Sequence, residues 1–227
     1  MAIQLDSVVP FGRSFDEYVE IFDLTKVDLQ KSILSVADGP ASFNAEGTRL
    51  GHHIKSVDPL YCFKASEIKQ RFDAVVDNII SQVENTPDDW VWSYHNSPSD
   101  LRKNRETAIQ KFCQDFEQSN TEGRYDVGEL PQLNYPDASY ELGLCSHFLF
   151  LYSEQFDRTF HLNSIREMLR VCKEVRIFPL LTLSLQPSPY LEFVIETLSE
   201  LGYQCEIQSV TYELQRNGNK MLKIMTL

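Results

Sequence analysis

Residues 32–59 read SILSVADGPASFNAEGTRLGHHIKSVDP, and the fold is decided here. Ser32 to Val36 is a short apolar run with two β-branched residues, the pattern of a buried strand. Ala37-Asp38-Gly39-Pro40-Ala41 is a turn of small residues, after which Ser42 to Leu50 can run as a helix. His53 to Val57 reads as a second strand, ending on Asp58. Strand, tight turn, helix and strand with a terminal acid form a βαβ unit suited to a nucleoside. Small residues let the backbone approach a ligand, and the helix start offers unpaired N–H groups. Asp58, 19 residues beyond Gly39, stands where an acid accepts hydrogen bonds from two ribose hydroxyls. A strict G-x-G-x-x-G is absent, so the turn alone is equally compatible with an ordinary strand-to-helix connection.

Outward from this unit the chain alternates helices and strands. Residues 14–30 read as one or two helices, with Phe15, Tyr18, Val19 and Phe22 as the apolar stripe and Thr25 capping a second turn. This helix is expected to pack on the sheet edge, with Phe11-Gly12-Arg13 free to cross the pocket mouth. The clearest periodic helix is expected over 65–84, with Ile68, Phe72, Val75, Val76, Ile79, Ile80 and Val83 keeping the helical rhythm. After a Pro-rich break, a second helix over 100–118 carries Arg102, Lys103, Arg105 and Lys111, read as a solvated face. This second segment lengthens a strand-to-strand crossover far beyond its usual span, and inserts of that kind commonly cover a site. Trp90, Trp92, Tyr94 and His95 are candidates to line one, although such dense aromatics more often form local core.

Further strands are expected at 124–127, 140–146 and 174–178, and a helix at 156–172. Ser188-Pro189 reads as the N-cap and first residue of another helix, which Gly202 ends. The close, YQCEIQSVTYEL, QRNGN, KMLKIMTL, reads as a hairpin turning at Asn217-Gly218-Asn219. Alternation implies a mostly parallel sheet with helices on both faces, and the hairpin adds an antiparallel strand.

Composition narrows the function. At 227 residues and 42% hydrophobic, the chain reads as one α/β domain with a sizeable core. No apolar run is long enough for a membrane span, and the start does not have the form of a signal peptide. Five scattered cysteines without C-x-x-C pairs imply free thiols and a cytoplasmic setting. A net charge of −12 repels polyanions, so nucleic acid is not expected as the main partner.

Four segments in order resemble the class I S-adenosylmethionine-dependent methyltransferase family. ILSVADGPASF at 33–43 is similar to its first motif, SVDP at 56–59 to its second-strand acid, and DVGELP at 126–131 to its D-A-x-x-L-P loop. YPDASYELGLCSHFLFLY at 135–152 is similar to the segment that follows that loop. The resemblance implies a doubly wound sheet of seven strands in the order 3-2-1-4-5-7-6, forming one Rossmann-like methyltransferase domain over 1–227. A helical flap over 1–31 and a helical insert over 85–122 would elaborate it. It also implies S-adenosylmethionine as cofactor. The backbone of Ala37, Asp38, Gly39, Pro40 and Ala41 would pass under its methionine and ribose. Asp58 would hold the ribose hydroxyls and Pro59 would touch the adenine. Asp126 would accept from the adenine amino group, Val127 would donate its N–H to a ring nitrogen, and Cys145 and Ser146 would lie beneath the sulfonium.

Two departures stand out. Ser35 replaces the family's strand-end acid, with Asp38 as the nearest substitute charge, and Ala37 replaces its first glycine. CSHF stands where amide and exocyclic-amine methyltransferases carry D/N-P-P-Y, which argues against methylation of DNA bases. The expected activity is methyl transfer to a small molecule, with His147 as the candidate general base. The alternative is a non-catalytic nucleoside-binding module of the same fold. A nicotinamide-dependent oxidoreductase fits the terminal hairpin and the Asp126 loop less well.

Overall fold

The computed structural model describes residues 3–5, 7–119 and 122–226. Residues 1, 2 and 6 of the expected flap, and 120 and 121 of the expected insert, lie outside the described residues.

The βαβ unit forms as β1 (Ile33–Val36), α2 (Phe43–Arg49) and β2 (Ile54–Val57). It is preceded by α1 (Phe15–Ile21) and followed by α3 (Ala65–Asn85), α4 (Pro98–Gln118) and the two-residue strand β3 (Tyr125–Asp126). Then come β4 (Tyr140–Ser146), α5 (Arg158–Val171), β5 (Cys172–Phe178), α6 (Leu191–Glu200), β6 (Tyr203–Ser209) and β7 (Lys220–Thr226). The strands make one seven-stranded sheet in the order β3-β2-β1-β4-β5-β7-β6. Its pairings are parallel from β3 to β5, and β7 runs antiparallel to both β5 and β6. This is the Rossmann-like methyltransferase fold that the four motifs imply.

Strand alternation sorts the side chains onto two faces. Ile33, Ile54, Leu142, Leu144 and Met221 pack with α1, α2, α3 and α4 in one core. Leu34, Val36, Val57, Val175, Ile177, Leu222 and Ile224 pack with α5 and α6 in the other. Since the side-chain period of a strand is 2, neighbouring residues such as Ile33 and Leu34 enter different cores. The strand order reverses between β1 and β4, and the sheet opens there at its carboxyl edge, the place where ligands enter α/β sheets.

Three expectations need correction. Helix α6 begins at Leu191 because buried Ser188 turns its Oγ to the backbone N–H of Tyr190, and the turn of Ser188 and Pro189 precedes the helix. The first strand of the terminal hairpin ends earlier than the pattern suggested, while the second starts where expected, at Lys220. β6 stops at Ser209 and β7 starts at Lys220, so residues 210–219 form a long connection instead of a tight turn. This connection leaves the sheet to pair with the segment after α3, where Leu214 O accepts from Val91 N at 2.8 Å. Arg105 does not lie on a solvated face. Its guanidinium clasps the Glu17 carboxylate through two bonds of 2.7 Å, and both side chains are fully buried.

Candidate functional site

The turn after β1 is set by residues that point back into the protein. Ser35 of β1 and Ser56 of β2 are register partners and share a face, so their hydroxyls stand side by side beneath the turn. Asp38 folds its carboxylate back onto them, accepting from Ser35 Oγ at 2.6 Å and also from Ser56 Oγ and the Tyr18 hydroxyl. Burial raises the Asp38 carboxyl above its ordinary value, and the three hydroxyl donors oppose that rise. The charge missing at position 35 is thus restored three residues later, inside the turn. Ala37 and Gly39 take positive φ, +53° and +54°, which lets the chain reverse tightly over the two serines.

Asp58, at the tip of β2, accepts from Gly39 N and from Leu60 N, both at 2.8 Å. It is 6% exposed, and burial raises its carboxyl to about 6 against two N–H donors that favour the ionised form. A carboxylate that receives one N–H from the turn and faces the same opening ties the two strand ends into one rim.

Above this rim lies a cavity of about 420 Å³. Its wall takes Ala37, Asp38, Gly39 and Pro40 from the first turn and Asp58, Pro59 and Leu60 from the second. Gly128, Glu129 and Leu130 come from the loop after β3, and Ser146, His147 and Phe148 from the end of β4. The segment from Val8 to Arg13 closes the remaining side. It is seated by close backbone contact, since a Cβ on Gly12 would fall 2.2 Å from Pro40 O. Arg13 O then accepts from Ser42 N at 2.9 Å.

The structure therefore brings Ala37, Asp38, Gly39, Pro40, Asp58, Pro59, Ser146 and His147 to one cavity. Four expected residues do not reach its wall. Ala41 is buried at the start of α2, and Cys145 is buried among the apolar residues of the α5–α6 face. Val127 is 61% exposed. Asp126 is engaged elsewhere, pairing with Lys55 Nζ at 2.7 Å and accepting from the Tyr135 hydroxyl at 2.9 Å. The wall is supplied instead by the next residues of its loop, Gly128 to Leu130. Sequence reading missed these, along with Tyr18, Phe156 and Phe160. Gly128 to Leu130 nevertheless lie inside the DVGELP segment singled out in the sequence, and a Cβ on Gly128 would meet Val57 at 2.8 Å.

His147 takes positive φ (+54°) directly after β4, which turns its ring away from the strand. Its Nδ1 is 2.8 Å from Ser146 Oγ, and its backbone N–H is held by Phe178 O at 2.6 Å. Burial, then the charges of Arg13 and Arg105, hold its pKa well below the usual imidazole value, so the ring is neutral at neutral pH. It also borders a second, smaller cavity of about 80 Å³, whose wall includes Ile79 and Val83 of α3, Trp90, Leu101 of α4, Phe178 and Arg13. Of the insert's aromatics, Trp90 reaches this wall. His95 is buried with its Nε2 3.2 Å from Glu17 Oε1.

No protein-family profile matches the chain. Among solved structures it is similar to the PH0226 protein from Pyrococcus horikoshii, with 12% identity, 94% and 91% of the two chains covered and a TM-score of 0.48. It is also similar to magnesium protoporphyrin IX methyltransferase from Synechocystis with bound SAM, with 11% identity, 94% and 91% coverage and a TM-score of 0.45. Among curated proteins it is 32% identical over 223 residues to MJ0045 from Methanocaldococcus jannaschii, described as an uncharacterized protein, with 98% of each chain covered. Identity at that level across nearly the full length of both chains shows that this chain belongs to the same family as MJ0045.

Proposed function

We propose that the protein is an S-adenosylmethionine-dependent methyltransferase with a small-molecule acceptor. The observation that carries this reading is the rim at the switch point. There a buried acid at the tip of β2 takes the N–H of Gly39 in the β1 turn and faces a cavity of nucleoside size. The remaining lone pairs of Asp58 suit two ribose hydroxyls, and the Gly128–Leu130 loop bounds the adenine end. The Ala37–Pro40 backbone offers a close approach for the methionine part. When bound, S-adenosylmethionine supplies an activated methyl group, and the chain has to align the acceptor, exclude water and take any released proton. The Val8–Arg13 segment serves exclusion, and neutral His147 is the proton acceptor nearest the junction of the two cavities. The polar network under the turn, completed by Asp38, supports a competent cofactor site despite Ser35 and Ala37. Among the described residues no helix is long and apolar enough to cross a membrane.

Thermal unfolding with S-adenosylmethionine, S-adenosylhomocysteine and NAD tests the reading. At a hundredfold excess over Kd, the adenosyl ligands should stabilise the native state by about 2.7 kcal/mol, and NAD should not. Asp58→Ala should remove that effect. No shift with either adenosyl ligand, or an unchanged shift in the variant, would refute the assignment.

A further inference from the structure

The second cavity is apolar along most of its wall, and its polar groups are largely engaged. The Tyr152 hydroxyl accepts from Val9 N at 3.3 Å, the Tyr212 hydroxyl donates to Glu17 at 3.0 Å, and Gln215 Nε2 donates to Thr182 O at 3.3 Å. Among the described residues, the groups of this wall left available include the guanidinium of Arg13 and the Nε2 side of His147.

Arg13 is unusual among the arginines lining this interior. Its Nη1 donates to the carbonyl of Phe11, two residues back, and its Nε is buried without a hydrogen-bond partner. Among the described residues no carboxylate comes within ion-pair distance of it. Glu17, the carboxylate whose charge acts on Arg13, is already held by Arg105, Tyr212 and Ser14. Burial and the neighbouring Arg105 lower the Arg13 pKa to about 10, which leaves it charged at neutral pH. A charged group beside an apolar cavity, with unused donors and no counter-ion among the described residues, is costly unless a ligand supplies the anion. The planar fork of a guanidinium matches a carboxylate, and the small cavity beyond it suits a short apolar body.

We propose that the second cavity is the acceptor site, and that it takes a small apolar carboxylic acid whose carboxylate pairs with Arg13. The inference rests on the methyltransferase reading for its role, while the binding itself is independent of that reading. Held by Arg13 through its carboxylate, an acid that is also an acceptor presents a second, proton-bearing nucleophilic atom, that of a hydroxyl, thiol or amine, near His147, at the wall shared with the larger cavity. In transfer, a lone pair on that atom forms the new bond to the methyl carbon. The sulfur–carbon bond breaks with its electrons left on sulfur, and the acceptor's proton passes to His147.

Calorimetry with benzoate and isovalerate, against benzamide, isovaleramide and inorganic phosphate, provides the test. The acids should bind at least tenfold more tightly than their amides and than phosphate. Arg13→Gln should erase the preference, and Arg13→Lys, which keeps the charge, should retain part of it. Equal binding of acid and amide, preference for phosphate, or no binding of either acid would overturn the proposal. The methionine carboxylate of the cofactor is the competing source of the same chemistry. S-adenosylhomocysteine and 5′-methylthioadenosine, which lacks that carboxylate, separate the two. If Arg13→Gln weakens only the former by tenfold, Arg13 serves the cofactor and the acceptor assignment fails. Absence of S-adenosylhomocysteine binding to the wild type would instead refute the methyltransferase reading, leaving the acid–amide comparison to stand on its own.

Discussion

At the scale of single residues, Asp58 and Ala37 make measurable demands. Folding raises the Asp58 carboxyl to about 6 from an ordinary 3.8. Its contribution to stability is therefore fully present below pH 3.8 and is lost as pH rises through 6. Between pH 4 and 7 the stability of the wild type should fall by about 2 kcal/mol relative to Asp58→Asn, measured by urea unfolding at both values. Affinity for S-adenosylhomocysteine should move the other way, rising across the same window, because the ribose hydroxyls donate to the ionised form. Ala37 holds φ at +53° where a side chain is disfavoured. Ala37→Gly should raise stability by up to about 1 kcal/mol, the relieved strain being partly offset by the greater freedom of unfolded glycine. A loss of stability would show that the Ala37 methyl packs usefully.

At the scale of elements, the segment before α1 behaves as a strap across the opening. Its seat is the backbone contact of Gly12 with the Pro40–Ala41 turn, reinforced by Phe11 stacking on Phe72 of α3 at 5.9 Å. Gly12→Ala should lower stability by about 1–3 kcal/mol, the usual cost of overpacking. It should also weaken S-adenosylhomocysteine, since the strap lines the same cavity. Unchanged thermal unfolding and affinity would show that the strap is not seated in solution. The helices themselves, with their apolar stripes, were legible from residue spacing, and α3 and β4 fall within a residue of expectation. The strap was legible as Phe11-Gly12-Arg13 free to cross the pocket mouth, but its seat was not, because that lies on a turn 28 residues away in sequence.

At the scale of the whole molecule, one buried cluster joins segments distant along the chain. Glu17 comes from α1, Arg105 from α4, His95 from the loop before it, and Tyr212 from the connection between β6 and β7. Burial tends to raise the Glu17 carboxyl, but Arg105 and His95 outweigh it and hold it well below the carboxylate range. Arg105→Leu leaves that charge uncompensated and should cost about 3–5 kcal/mol. The double variant Glu17→Leu, Arg105→Leu should be more stable than Arg105→Leu alone, as read from urea midpoints. Equal losses in both would mean that packing, not charge, dominates the site.

The sequence by itself determined the strand and helix order, the seven-stranded sheet and the first and second turns of the cavity. The element order and the two turns follow from local periodicity and from residue types confined to short spans of chain, and the seven-stranded sheet from the resemblance of four short motifs to a known family. Tertiary structure decided where the charges go. Arg105 reads as a surface base until α1 is laid beside α4, and Asp126 reads as a ligand until Lys55 and Tyr135 are found beside it. Arg13 gains its meaning only from the absence of a nearby acid among the described residues. Ion pairing depends on distance and burial in space, and neither is encoded in the spacing of residues along the chain.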